Sequence, residues 1–288
     1  MAWDSLTAKM AMTSLQLAMD LDQALRRFKG NPRLFHERIL AQNGGAWFDW
    51  EAFVRACYEA ILQPGSVSVD CGANHGVHTI HMARAVAPCG RVLSIEPVSS
   101  LSKRVQELER SYGVPTGVIT YLACAVSDSE GEAEFYHLID DNLDGLSGLR
   151  RRSCLDGRPI STFRVQVRTM DEICADLKRL DFMKLDIEGA ELDALRGARK
   201  TLARHRPIFT LEQGEINQTY YNYTWSDLLT FLDDVGYRLF DLFGLAYSDP
   251  TALSGCLVWD FVAFPKERSP AMVIWRIRQA MRAGGVVL

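Results

Sequence analysis

VDCGANHG, residues 69–76, closes a β-rich run at 66–70 and opens a helical stretch, Val77–Val86. Asp70 ends the run, and Gly72 and Gly76 bracket a tight turn. At a strand-to-helix turn, glycine lets backbone come close to a ligand while the helix N-terminus offers free amides. The pattern is DxGxxxG and not the GxGxxG of a pyrophosphate-binding turn. An acid before the turn, with the third glycine missing, fits a nucleoside that carries an amino acid. Asp70 would receive its α-ammonium through a charge-assisted bond. Ala73 and Asn74 complete the loop. Glycines at such turns are often turn chemistry alone, so the reading needs support from the acids farther along the chain.

VLSIEP, 92–97, puts Glu96 at the tip of the next strand, 26 residues after Asp70. An acid there is placed to accept both hydroxyls of a ribose. DFMKLDIEGAELDALRGA, 181–198, is an apolar strand ending in Asp186, with Glu188 next and Gly189 opening a helix. Lys184, Asp186, Glu188 and Glu191 are too dense to be buried without partners. Glu191 reads as an acid favouring a helix N-terminus. Asp186 and Glu188 fall at the carboxyl end of a strand, where open α/β sheets bind ligands. IFTLEQGE, 208–215, places Glu212 and Gln213 at the end of the adjacent strand.

Around these motifs, short β-rich runs at 66–70, 91–96, 118–126, 181–186, 207–212, 237–243 and 256–264 alternate with helical patterns. That alternation predicts a parallel sheet built from βαβ units. YRLFDLF and CLVWDFVAF have no helix between them and predict an antiparallel hairpin at one sheet edge. An insertion, 129–170, holds EAEFYHL and FRVQVRT, which alternate as a smaller hairpin does. With Asn142, Ser147 and Arg150-Arg151-Arg152, it is expected to wall the substrate side. The domain is bounded as 63–265. Residues 1–62 form a helical extension expected to cap the pocket or make a dimer surface. Residues 266–288 form a basic amphipathic tail, whose expected place is against its own domain or a subunit and less so an anionic membrane.

Composition excludes other classes. The chain has 288 residues, 48% apolar and 24% charged, with a formal charge of −4. That is ordinary globular composition and argues against a chain-wide grip on nucleic acid. Seven cysteines, odd in number and without CxxC, read as small buried residues in a reducing compartment. No signal-peptide pattern or long apolar run is present, so a cytoplasmic location is expected. His75, His78 and His81 recur every third residue with no interleaved carboxylate. They fit roles beside a pocket better than zinc binding, with His75 or His78 a candidate general base.

VDCGANHGVHT, IEP, ACAVSD, VRTMDE, KLDIEGAEL and PIFTLE, in this order, resemble the FkbM-type family of S-adenosylmethionine-dependent methyltransferases over roughly residues 66–215. DIEGAE is the most specific piece. The resemblance implies a Rossmann-like, seven-stranded fold and methylation of a hydroxyl on a sugar, glycolipid or secondary metabolite. It implies a cofactor loop of Asp70, Gly72, Ala73, Asn74 and Gly76, with Glu96 on the ribose and Ala125 and Val126 beside the adenine. The chain departs from the family at Pro97-Val98-Ser99, where Asn-Pro is frequent, and at Gly214, where a histidine is common. Asp186, Glu188 and Glu212 are the expected catalytic acids. A further expectation is Mg2+ held by Asp186, Glu212 and Gln213, all oxygen donors. The alternatives are a non-catalytic nucleoside-binding or scaffold protein and, less favoured without GxGxxG, a nicotinamide-dependent dehydrogenase.

Overall fold

The computed structural model describes residues 31–44, 48–139 and 146–286. The apolar stripe read at 5–28 lies outside them, as does Asn142. The main strands are β1 (Val67–Cys71), β2 (Arg91–Ile95) and β3 (Ile119–Leu122), followed by a small-sheet set, β4 (Ala125–Val126), β5 (Gly131–Leu138) and β6 (Ile160–Arg168). The chain returns to the main sheet with β7 (Phe182–Leu185), β8 (Ile208–Glu212), β9 (Tyr237–Asp241), β10 (Ala246–Tyr247) and β11 (Asp260–Pro265). The order in the main sheet is β10-β9-β11-β8-β7-β1-β2-β3. β1 pairs in parallel with β2 and β7, β2 with β3, and β7 with β8. All four residues of β7 are buried, as expected for a parallel strand covered on both faces. The α/β class with a mostly parallel sheet is therefore found.

Three details differ from the sequence reading. The sheet has eight strands, not seven, because β10 is a two-residue strand, too short to show a period. The expected hairpin forms, but not wholly at the edge: β11 runs antiparallel to both β9 and β8 and so lies inside the sheet. The run at 118–126 is two strands, since β3 ends the main sheet while β4 pairs with β6 in a second sheet, β4-β6-β5. The expected hairpin of the insertion is β5 against β6 in antiparallel register.

The described part of the N-terminal extension shares the central core. Phe35 and Ile39 of helix Pro32–Gln42 and Phe53, Val54, Cys57 and Tyr58 of helix Trp50–Glu59 belong to the same buried cluster as the sheet. Helix Trp50–Glu59 starts where the Asp49 side chain accepts from the Ala52 amide at 3.0 Å, an ordinary N-cap. Helix Ala271–Ala283 packs against it and buries Val273, Ile274, Ile277 and Met281. The apolar stripe of the basic tail is thus covered by its own domain, leaving a lipid surface little of that stripe to contact. No helix among the described residues is long and apolar enough to cross a membrane.

Candidate active site

A cleft with about 950 Å³ of atom-free space, partly open to solvent, lies at the carboxyl ends of β1, β2, β7 and β8. The small sheet walls it on one side through Ala125, Val126, Phe135 and the segment Ser147–Leu149. Its size suits a small-molecule site.

At one end, the turn after β1 is fixed by its own backbone. The Gly72 and Ala73 amides both donate to the Ile95 carbonyl at 3.0 Å. Gly72 has φ +82°, and a Cβ there would collide with the Asp186 carbonyl. The loop after β1 therefore lies directly against the end of β7, and only glycine permits that approach. The Asn74 amide donates to Glu96 Oε2 and the Val98 amide to Glu96 Oε1, each at 2.9 Å. The Glu96 carboxylate is thus locked in place in the cleft wall. Asn74 also lines the cleft, and its side-chain oxygen is buried with no partner in the protein. Val98, Leu101, Cys124, Ala125 and Val126 supply an adjacent apolar surface.

Asp70 lies off the cleft lining. Its side chain is fully buried, and Thr79 Oγ1 donates to Asp70 Oδ2 at 2.5 Å. It precedes the last residue of β1, so it lies below the strand tip, in register with Lys184 of β7. From there its Oδ2 braces helix Val77–Val86, while Oδ1 is buried with no partner in the protein. Gly76 and Ala73 also lie off the cleft lining. Gly76 has φ +81° where a Cβ would strike Val105, so its role is in the turn.

On the other side of β1 from Glu96, Asp186, Glu188 and Glu212 come together, with Glu51 at the exposed rim. Lys184 Nζ donates to Asp186 Oδ2 at 2.7 Å. Burial alone would raise the Asp186 carboxyl, but the Lys184 ammonium and a hydrogen bond with Glu212 hold it well below its usual range. The Asp186 charge, then burial, pushes Glu212 far upward. Asp260, opposite Glu212 in the β8–β11 register, is raised to about 7 by burial and by Asp186. Its sequence neighbourhood gave no sign of this, because the juxtaposition depends on β11 entering the sheet. Glu51 was likewise invisible, coming from a helix remote from every motif.

Glu188 sits at φ +60°, a left-handed position, and Gly189 follows at φ +107°. Glu191 enforces this bend: it is fully buried, and its Oε1 accepts the Ile187 amide at 2.9 Å and the Gly189 amide at 3.2 Å. Its position near a helix N-terminus was legible, but its role of tying the preceding loop was not. Arg152 of the insertion donates to Glu188 Oε2 at 2.6 Å and to Asn217 Oδ1 at 3.0 Å, and also reaches the Leu146 carbonyl. Burial raises Glu188 to about 7 against the opposing pull of Arg152. Of the basic run, only Arg152 turns inward: Arg151 pairs with Asp156, and Arg150 lies over the Tyr221 ring. Ser147 lines the cleft as expected.

His75 and His78 do not line the cleft. His78 is buried between the Tyr58 hydroxyl, 3.2 Å from Nδ1, and the Glu51 carboxylate, which it bonds through Nε2. The expected Mg2+ does not fit the donor set. The Lys184 ammonium already neutralises Asp186, and the Gln213 side chain is buried, taking the Tyr223 hydroxyl on Oε1 at 2.5 Å. A cation placed there would face a fixed positive charge. Among the described residues no group of three or more histidines, cysteines and acids is arranged to hold a metal.

The Methyltransferase FkbM domain family matches residues 70–239. The chain belongs to this family. Among curated relatives of this FkbM chain, the 2-O-methyltransferase NoeI of Sinorhizobium fredii is 28% identical over 174 residues, covering 54% of this chain and 67% of that protein. Methyltransferase 1 of Beauveria bassiana is 27% identical, over 51% of this chain and 64% of its own length. The antimetabolite synthetase AmbE of Pseudomonas aeruginosa is 25% identical over 51% of this chain, a match that spans only 8% of AmbE. A crystal structure of an FkbM methyltransferase from Methylobacillus flagellatus superposes with TM-score 0.42 and 21% identity, over 72% of this chain and 49% of that one.

Proposed function

We propose that this FkbM-family protein is an S-adenosylmethionine-dependent O-methyltransferase whose acceptor is a hydroxyl of a small molecule or glycan. The observation that carries the reading is the pairing, in one cleft, of a backbone-locked Glu96 beside a buried, unpartnered Asn74 oxygen with a cluster of acids on the other side of β1. Glu96 would hold the ribose hydroxyls, Asn74 a polar atom of the amino-acid moiety, and Ala125, Val126 and Leu101 the adenine. The cofactor supplies an activated methyl on a sulfonium.

The chain's own residues bring the acceptor hydroxyl into line and take its proton. Asp186, kept ionised by Lys184, accepts a hydrogen bond from the hydroxyl and orients it. Glu212, pushed upward by the Asp186 charge, shares a proton with it, which stops the acids from repelling one another. Glu188, raised to about 7, is near the pH at which a carboxylate is an effective general base. Calorimetric titration with S-adenosylmethionine, then transfer of labelled methyl to a panel of hydroxyl acceptors, tests the reading. Binding without transfer to any acceptor would favour the nucleoside-binding alternative; no binding would sink both.

A further inference from the structure

A second constellation lies outside the cleft, where three segments distant in sequence converge. Helix Pro32–Gln42 contributes His36, the end of β9 contributes Asp241, and the loop before β11 contributes Cys256. His36 Nε2 donates to Asp241 Oδ2 at 2.8 Å, and both side chains are completely shielded from solvent. The other ring nitrogen, Nδ1, stands 3.8 Å from Cys256 Sγ. Asp241 is itself fixed: the Leu245 amide donates to Oδ1 at 2.8 Å and the Tyr247 hydroxyl to Oδ2 at 2.9 Å. The Tyr247 hydroxyl also faces Cys256, and the charged groups beside the loop among the described residues include Arg33, close to Gly255, and Glu215, which accepts the Gly255 amide at 3.0 Å. A thiol beside an imidazole whose far nitrogen is held by a carboxylate is the geometry of an activated sulfur nucleophile. Cys256 is partly exposed, whereas Cys57, Cys71, Cys124 and Cys174 are buried.

We propose that Cys256, with the His36 imidazolium beside it and Asp241 orienting the ring, is an activated-thiol modification site whose reagents are hydroperoxides. With His36 already carrying a proton on each ring nitrogen, the thiol gives its proton to solvent and leaves a thiolate beside the imidazolium. The thiolate sulfur attacks one peroxide oxygen, forming the S–O bond as the O–O bond breaks. Sulfur is oxidised to a sulfenic acid, the peroxide is reduced, and the departing hydroxide takes a proton from His36 and leaves as water.

The exposed Cys89 provides an internal reference within the same chain. The full-length protein is alkylated with iodoacetamide at pH 6.5 and pH 9, and each cysteine is followed by peptide mass spectrometry. At pH 6.5 Cys256 should react about tenfold or more faster than Cys89, with the gap narrowing at pH 9 as ordinary thiols ionise. His36→Asn, checked for folding by circular dichroism, should abolish the advantage. If that variant does not fold, the wild-type ratio at the two pH values decides alone. Hydrogen peroxide with dimedone at pH 6.5 should leave the trapped sulfenic acid on Cys256 and not on Cys89. Equal alkylation of the two cysteines at pH 6.5, an advantage that survives in folded His36→Asn, or no dimedone adduct on Cys256 would overturn the proposal.

Discussion

At the scale of single residues, acids that look alike in the sequence have different work. Glu96 and Asp70 both end or nearly end neighbouring strands, yet one carboxylate is held in the cleft by two amides and the other is buried against Thr79. Glu96→Ala should therefore weaken S-adenosylmethionine binding while the protein stays folded. Hydrogen bonds to a charged group are worth about 1.5–3 kcal/mol, which is roughly a tenfold to hundredfold loss in calorimetric affinity. Asp70→Ala should instead lower the melting temperature, with whatever folded protein remains binding the cofactor much as before. Glu188→Gln should cut methyl transfer by about a hundredfold or more, the scale of a lost general base, with cofactor affinity little changed. A fall in turnover that only tracks affinity would make Glu188 a structural partner of Arg152.

At the scale of elements, the bend between β7 and the helix Glu191–Arg196 depends on one buried carboxyl. Glu191 is raised to about 8, because burial outweighs the amides it accepts. Its folded-state value lies above the unfolded 4.5, so the folded protein binds this proton more tightly. Its contribution is complete below about 4.5 and is lost as pH rises through about 8. Glu191→Gln keeps an oxygen for the two amides and removes the ionisation. Denaturant titrations across pH 5–9 should show the wild type losing stability relative to this variant as pH rises; parallel curves would remove Glu191 as the cause. The other bend, at Gly72, is steric. Gly72→Ala would push the loop after β1 off the end of β7, and both cofactor affinity and stability should fall together.

At the scale of the whole molecule, the described N-terminal helices are built into the core of the sheet. Helix Trp50–Glu59 sends Glu51 to the cleft rim, while helix Pro32–Gln42 is clasped to the sheet edge by the buried His36–Asp241 pair. Burial alone would lower His36, but its bonds to Asp241 and Cys256 raise it to about 9. That lies above the usual 6.5, so the clasp's contribution is fully present below about 6.5 and disappears as pH rises through about 9. The melting-temperature gap between wild type and His36→Gln should be widest near pH 6 and close above pH 9. A gap independent of pH would mean that His36 acts by packing alone.

The sequence by itself determined the α/β class, the turn after β1, Glu96 and the acids at 186, 188 and 212. Each of these signals is local: a strand period, a glycine at a turn, an acid at a strand tip. Tertiary structure decided what each acid faces. Asp70 is buried against Thr79 and not set in the cleft wall, because one residue along a strand carries a side chain to different surroundings, a difference that the motif does not encode. Gln213 was misread for the same reason, its amide turned into the core toward Tyr223. Lys184's neutralising contact with Asp186, the entry of β11 that brings Asp260 opposite Glu212, and the meeting of His36, Asp241 and Cys256 are contacts between side chains set by packing. The last of these joins segments more than 200 residues apart in the chain. Local patterns report the chain's own geometry, but protonation and partners depend on desolvation and neighbouring charge, which exist only once the chain has folded.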